Sequence, residues 1–184
     1  MAKPIYIVFI AGVTAGTVAK LRTAITDALN NGYEEINCLI SSNGGSVIEG
    51  LNIAAYLRSL PIPVVMHNIG QIDSVANVIY AAGKTRKANP NSSFLFHGVL
   101  MSYTNASYTE AQLNEQYKIA KRLREDIAKS LSAYVGMNLS DVNTLFADDA
   151  AILSADEAKN KGIVHEVVDA TIPKGIQIIS IGNE

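Results

Sequence analysis

One serine and one histidine of this sequence have the types and positions that nucleophilic catalysis uses. Ser74 follows the apolar run VVMHNIG and precedes VANVIYAAG, a run typical of a buried helix. A serine nucleophile needs a base that takes its proton and donors that stabilise the oxyanion. His97 is the best candidate base, because it ends the strand-like run FLFH and is followed by a glycine. The two other histidines, His67 and His165, lie within strand-like runs and are interpreted as structural.

Two junctions between a predicted strand and a predicted helix, one at Ser74 and one at SSNGGSV, can also be explained without catalysis. Ser74 or Asp73 can cap the helix that follows, since a side-chain oxygen there accepts from unpaired amides. A charged Asp73 facing the site would disfavour an oxyanion, so we expect it to face away and cap the helix. The second junction, SSNGGSV (Ser41–Val47), has adjacent glycines that permit close backbone approach, although a plain tight turn fits equally well. It is not a phosphate loop, because no Gly-Lys-Ser/Thr follows.

The elements that must position these residues alternate between strands and helices. Ile5–Ile10 predicts a strand and about Thr17–Asn30 a helix. The pattern recurs through the strand EINCLIS, the helix SVIEGLNIAAYLRSL with Ser46 at its N-cap, the strand PVVMHNI and the helix SVANVIYAAG. Continuous apolar strands alternating with helices predict an α/β fold with a parallel sheet covered on both faces. Reactive groups of such sheets collect where strands lead into helices.

The second half of the chain contains one long element. After the strand candidate SSFLFHGV, apolar positions recur every three or four residues over about Thr109–Val135, up to Gly136, which predicts a helix that projects from the body. A short helix opened by Ser140, the segment ILSADEAKNKG and the strand IVHEVV follow. The residues from Thr171 onwards show no clear pattern.

Composition limits the classes of protein that this chain can belong to. With 184 residues, of which 48% are apolar and 17% charged, we expect a single domain over residues 1–184. The net charge of −2 and the scattered Lys and Arg argue against a nucleic-acid partner. The apolar stretch near the N-terminus is too short for a signal peptide or a membrane span, so we expect a cytoplasmic protein without membrane contact. Cys38 lies in the apolar run INCLI and is interpreted as a buried hydrophobe.

Four segments, in order, resemble the ClpP family, the proteolytic subunit of Clp proteases. They are SSNGGSV, GQIDSVAN, PNSSFLFH and ILSADEAKNKGIVHEV. The resemblance implies a ClpP/crotonase-like fold of repeated β-β-α/βαβ units with a projecting long helix. It also implies a serine endopeptidase that hydrolyses peptides or unfolded polypeptides inside a ring-shaped oligomer, with neither a cofactor nor a metal.

The resemblance assigns roles to individual residues. Ser74 matches the nucleophile and His97 the general base, while the backbone N–H groups of Gly45 and Val75 match the oxyanion hole. The family's third catalytic residue, an Asp, falls at the position of Ala150 in this sequence.

The acid of the triad therefore has more than one candidate. Asp149 serves if the loop is one residue longer here, Asp148 is the second candidate, and the third alternative is an incomplete triad. An orienting carboxylate fixes the tautomer of the histidine, and its loss costs about four orders of magnitude in rate.

The resemblance also implies partners and leaves competing functions open. The helix over about 109–135 matches the handle by which two rings stack, so a homo-oligomer of stacked rings is expected. A Clp-type ATPase is a possible partner. The alternatives are a catalytically weak or inactive ring subunit and a crotonase-like acyl-CoA enzyme, which would need the paired backbone N–H groups but no serine nucleophile.

Overall fold

The structure is a computed structural model that describes residues 3–102, 107–147 and 150–183. Within these ranges the strands are β1 (Pro4–Ile10), β2 (Glu35–Ser42), β3 (Val64–Asp73), β4 (Thr85–Ala88), β5 (Ser93–Phe96), β6 (Ala151–Ser154), β7 (Glu166–Val167) and β8 (Ile178–Gly182). The helices are α1 (Ala15–Asn30), α2 (Val47–Ser59), α3 (Ala76–Ala81), α4 (Glu110–Val135), α5 (Leu139–Leu145) and α6 (Ala155–Asn160).

All eight strands join one sheet, whose main path runs in the order β6-β5-β3-β2-β1-β8. Its strand pairs are parallel, as the sequence predicts, except for β5 and β6, which are antiparallel. Strand β3 changes partner along its length: Val65–Asn68 pair with β4, and Gln71–Asp73 pair with β5. The end of β3 that leads to Ser74 therefore lies beside the strand that leads to His97.

The core lies between the sheet and the helices that cover it. Side chains alternate along β1, where Ile5, Ile7 and Phe9 are fully buried. Helix α3 is short, and all six of its residues are buried, which explains why its sequence is apolar apart from Asn77. Because this buried helix begins two residues after Ser74, the turn that carries the serine is anchored directly in the core.

Three strands, β4, β6 and β8, had no counterpart in the sequence prediction, which assigned no strand to the segment that contains β6. Strand β4 has the sequence TRKA, which lacks an apolar run, and β8 lies in the C-terminal segment without clear pattern. The charged Arg86 of β4 is buried, and its guanidinium donates to the carbonyl oxygens of Gly83, Gly162 and Ile163. These backbone acceptors are distant in sequence or inside a turn, so the local pattern did not reveal them.

Helix α4 begins and ends where the sequence predicts. Thr109 caps its N-terminus through a capping box with Gln112, and Gly136 ends it in the left-handed conformation, with φ 77°. Its buried residues, Ile127, Ala128 and Leu131, all lie in the second half of the helix. The first half is largely exposed and extends beyond the core.

Candidate active site

Ser74 lies in a strained turn between β3 and α3. Its φ is 56°, and it is the one non-glycine residue with positive φ in the described part of the chain. The left-handed conformation costs an L-residue about 1–2 kcal/mol, and such strain is concentrated at functional positions. The backbone N–H of Ser74 donates to Leu95 O over 2.9 Å, which fixes the turn to β5. The sequence prediction that Ser74 belongs to the first turn of the helix is wrong, because β3 continues to Asp73 and α3 starts only at Ala76.

The Gly-Gly turn after β2 packs against the Ser74 turn. A Cβ added to Gly44 would lie 2.7 Å from Asp73 O and 2.8 Å from Ser74 Cβ, so another residue cannot replace this glycine without moving the serine. Gly44 and Gly45 have φ values of 78° and 145°, which disfavour any residue with a side chain. The two junctions that the sequence singles out are thus in direct contact.

The backbone amides of Gly45 and Val75 belong to the two turns that meet at Ser74. Around Gly45, Val13 N donates to Gly44 O over 2.7 Å, and Ser46 N donates to Val13 O over 2.8 Å. These bonds hold the loop on both sides of Gly45, but neither uses the Gly45 N–H. The N–H groups of Gly45 and Val75 donate to no residue among those that the structure describes. Two free donors therefore flank Ser74, one from each turn.

The side chain of Val75 does not enter the site. It is fully buried and packs against Gly50 of α2, where an added Cβ would overlap the Val75 methyl groups. A branched apolar residue is thus accommodated directly after Ser74, and only its backbone faces the site.

His97 follows β5 directly and is half-buried. Its Nδ1 lies 2.6 Å from Gly98 O. A carbonyl oxygen only accepts, so Nδ1 carries a proton in this arrangement, and Nε2 has a free lone pair when the imidazole is neutral. Ser74 Oγ forms no hydrogen bond with any of the described residues, His97 included. The fold thus places the serine and the histidine at the ends of paired strands without joining their side chains by a hydrogen bond.

Asp73 does not cap the helix, contrary to the sequence prediction. The N-cap of α3 is Val75, which makes no side-chain cap bond. The Asp73 carboxylate instead accepts a hydrogen bond from Gln71 Nε2 over 3.1 Å, on the sheet face that β3 exposes. Burial raises the pKa of the Asp73 carboxyl group, and the charge of nearby His97 lowers it. The carboxylate therefore contributes to the electrostatics around the histidine.

The two acid candidates, Asp148 and Asp149, lie outside the described residues. The register of the antiparallel pair β5–β6 places Phe96 opposite Ala151. Because β6 runs opposite to β5, the residue before Ala151, Ala150, lies toward the His97 end of β5.

The other two histidines bind structural elements, in agreement with their interpretation from the sequence. His67 Nε2 lies 3.0 Å from Val168 O, and burial is the main cause that lowers its pKa. His165 contacts Arg86 through both ring nitrogens, at 3.1 Å to the backbone N and 2.8 Å to Nη2. Neither residue belongs to the Ser74 turn or to the Gly-Gly turn.

Asn77 is a residue of this site that the sequence did not single out. It is 1% exposed, and its Nδ2 donates to the carbonyl oxygens of Ser74 and Leu95. The available signal was a carboxamide inside an otherwise apolar run, three residues after the serine.

The described ranges contain neither a metal-binding cluster nor a membrane-spanning helix. No group of three or more His, Cys, Asp or Glu residues there is arranged to hold a metal ion. Among the helices of those same ranges, none combines the length and apolar character required to cross a bilayer.

Comparisons with known proteins identify a family and a similar fold. A family model described as Clp protease matches residues 5–171. The fold is similar to the solved structure of a mutant of ClpP1 from Listeria monocytogenes, with a TM-score of 0.79 and 20% sequence identity. That similarity covers 90% of this chain and 91% of the other. The structural likeness supports the ClpP/crotonase-like fold class, and since the family model spans nearly the whole sequence, the chain belongs to the Clp protease family.

Proposed function

We propose that this chain is a serine endopeptidase of the ClpP type, with Ser74 as nucleophile and His97 as general base. Its substrates are peptides or unfolded polypeptides. The observation that carries this proposal is the contact between two strained turns: left-handed Ser74 packs on Gly44, and the unpaired amides of Gly45 and Val75 flank it. A buried N-cap serine would need neither the strain nor the two free donors.

In the proposed reaction, Ser74 Oγ attacks the scissile carbonyl carbon while its proton passes to His97 Nε2. The carbonyl oxygen becomes an oxyanion that accepts hydrogen bonds from the N–H groups of Gly45 and Val75. The intermediate collapses, the C–N bond breaks, and the leaving amine takes the proton from Nε2. Water, deprotonated by His97, then hydrolyses the acyl ester and regenerates the Ser74 hydroxyl.

Asp149 is the proposed orienting acid, with Asp148 as the alternative. The register that leads Ala150 towards His97 supports this assignment. The Gly98 carbonyl, which accepts from Nδ1 over 2.6 Å, occupies the donor that an orienting carboxylate would use. When the acid binds His97 Nδ1, the Gly98 carbonyl must therefore lose this hydrogen bond or share the Nδ1 proton with the carboxylate. Asp149→Asn should lower peptide hydrolysis by orders of magnitude while Asp148→Asn leaves it near wild type, and equal, near-wild-type rates in both variants would remove both acids from the mechanism.

We also propose that the protein is a homo-oligomer of stacked rings and that α4 forms the contact between rings. The exposed half of this helix carries Leu113, Tyr117 and Ile119, whose exposed fractions are 51%, 67% and 41%. Apolar side chains so exposed on one projecting helix are suited to burial against another copy. The proposal also includes a Clp-type ATPase partner, which family membership supports, and a cytoplasmic location.

One observation favours a second candidate, a catalytically weak or inactive ring subunit. In the described chain Ser74 Oγ is not hydrogen-bonded to His97, and His97 Nδ1 is bonded to its neighbour Gly98. An arrangement of this kind is inactive unless oligomer contacts realign the histidine.

A fluorophosphonate probe separates the candidates. The assembled protein is treated with the probe, and the adduct is located by mass spectrometry, with Ser74→Ala and His97→Ala as matched variants. A stoichiometric adduct on Ser74 that both substitutions abolish supports the peptidase. No labelling of the assembled oligomer refutes it in favour of the inactive subunit, and saturable binding of an acyl-CoA would favour the crotonase-like alternative instead.

A further inference from the structure

Asn77 holds the Ser74 turn against β5 with its side-chain amide. Nδ2 lies 2.9 Å from Leu95 O, 3.0 Å from Ser74 O and 3.4 Å from Ile72 O. The first two bonds use both amide hydrogens, and the third contact is long. The same Leu95 oxygen also accepts from Ser74 N over 2.9 Å, so two donors from the turn converge on one carbonyl.

The orientation of this amide follows from its neighbours. Asn77 Oδ1 is buried and has no hydrogen-bond partner among the described residues. Rotating the amide by 180° would place Oδ1 against carbonyl oxygens, which repel it, so Nδ2 must face them. Leaving a buried acceptor unpaired is costly, and an alanine would avoid that cost. The role of Asn77 therefore lies in the hydrogen bonds that its Nδ2 donates to the carbonyl oxygens of Ser74 and Leu95.

The position of Leu95 makes this contact relevant to the proposed chemistry. Leu95 pairs with Asp73 in the sheet and precedes His97 by two residues on the same strand. The side-chain amide of Asn77 thus connects the backbone carbonyl of Ser74 with β5, the strand that leads to His97. Because Ser74 is held in the left-handed conformation, the turn relaxes if these bonds are removed.

We infer that Asn77 is a positioning residue that sets the spacing between the Ser74 hydroxyl and the His97 imidazole. It touches neither substrate nor the reacting atoms. The inference rests on the proposed function for its effect on rate, but the structural part, that Asn77 holds the turn, stands on the contacts alone.

The chain offers a matched control in Asn68. This asparagine is also fully buried, and its Nδ2 donates across the same two strands to Ser93 O over 2.9 Å. It bridges β3 and β5 at the end remote from Ser74. Asn68 Oδ1 also accepts from Gly70 N over 3.0 Å, whereas Asn77 Oδ1 has no partner among the described residues. Asn68→Ala therefore removes a buried amide and leaves an N–H unpaired, so a loss of stability alone should affect it at least as much as Asn77→Ala.

The test combines probe labelling, steady-state kinetics and hydrogen exchange on the assembled protein. Asn77→Ala, and the isosteric Asn77→Asp, which lacks the donors, should lower the fluorophosphonate labelling rate and kcat at least tenfold with KM within twofold of wild type. Exchange of the Ser74 amide should accelerate at least tenfold. Asn68→Ala should leave the labelling rate, kcat and the exchange of the Ser74 amide near wild type, even if its melting temperature falls as far as that of Asn77→Ala.

Each outcome decides the inference. Labelling of Asn77→Ala at the wild-type rate, or an equal loss of rate in Asn68→Ala, would overturn it. If the wild-type protein is not labelled at all, the proposed peptidase fails, and exchange alone then decides the role of Asn77. If the Ser74 amide of Asn77→Ala stays as protected from hydrogen exchange as in the wild type, Asn77 does not hold the turn. Lost protection would support that role.

Discussion

Gly44→Ala tests the contact between the two turns on which the proposed activity depends. The added Cβ would lie 2.7 Å from Asp73 O, whereas ordinary contacts start at 3.4 Å, so the turns must separate by 0.7 Å. An amide donor displaced from about 3.0 to about 3.7 Å from the oxyanion no longer forms a hydrogen bond. Loss of one such donor lowers kcat by about 10²–10³.

The same substitution also has a stability cost that must be separated from its effect on rate. Alanine at the positive φ of Gly44 costs about 1–2 kcal/mol. Overpacking against Ser74 adds about 1–3 kcal/mol. This sum is smaller than the stability of most domains, about 5–15 kcal/mol, so we expect the variant to fold with a lowered melting temperature.

Gly32→Ala supplies the control, because Gly32 has a similar φ, 69°, but nothing within 4 Å of the added Cβ. It shares the conformational cost without the contact. Both variants are measured by kcat and KM on a fluorogenic peptide and by thermal unfolding. We expect Gly32→Ala to keep the wild-type kcat. If Gly44→Ala also keeps a kcat within threefold of that control, the two turns do not form a joint oxyanion site.

Two further predictions follow from burial. Burial raises the pKa of the Cys38 thiol to about 12. Iodoacetamide at pH 8 should therefore leave Cys38 unmodified in the native protein and alkylate it after unfolding. Rapid alkylation of the native protein would contradict the buried position of Cys38 in β2. For Asp73, burial raises the pKa of the carboxyl in the folded protein, so folding stability falls as pH rises from below its unfolded value of 3.8 through the folded value. Asp73→Asn should therefore stabilise the protein at pH 7, by at most about 1 kcal/mol because the group is partly solvated, and an unchanged melting temperature at pH 7 would count against this. The gain should disappear below pH 3.8.

The sequence was sufficient to predict the elements whose pattern is local. Helices α1, α2 and α4 have apolar positions at helical spacing and recognisable ends, such as Ser46 before α2 and Gly136 after α4. Strand β4 was missed because Arg86 is buried through bonds to carbonyls near residue 163, which no local window contains. Strand β6 was missed because it has only four residues, Ala151–Ser154, and leads directly into α6, so no local pattern separates it from that helix.

For the site, the sequence did not predict the conformation of the turn that carries Ser74. Ser74 was expected in the first turn of a helix, since the run after it is apolar. In the structure β3 extends to Asp73 because Gln71–Asp73 pair with β5, a partner that starts some 20 residues later in the chain. The same pairing places the Asp73 carboxylate beside Gln71 and near His97, where a helix cap was expected.

Val75 and Asn77, which follow Ser74 closely in the chain, are not small residues, and the structure shows how the turn accommodates them. The proposed site needs the backbone of this segment: the left-handed Ser74, its N–H bond to Leu95 and the free amide of Val75. The Val75 side chain fits because Gly50 has no Cβ in its path. Asn77 adds a donor that bonds the same Leu95 carbonyl. The side chains of Val75 and Asn77 are therefore compatible with this backbone geometry, because both are buried and one is accommodated by a glycine while the other is bonded to a carbonyl that the turn already uses.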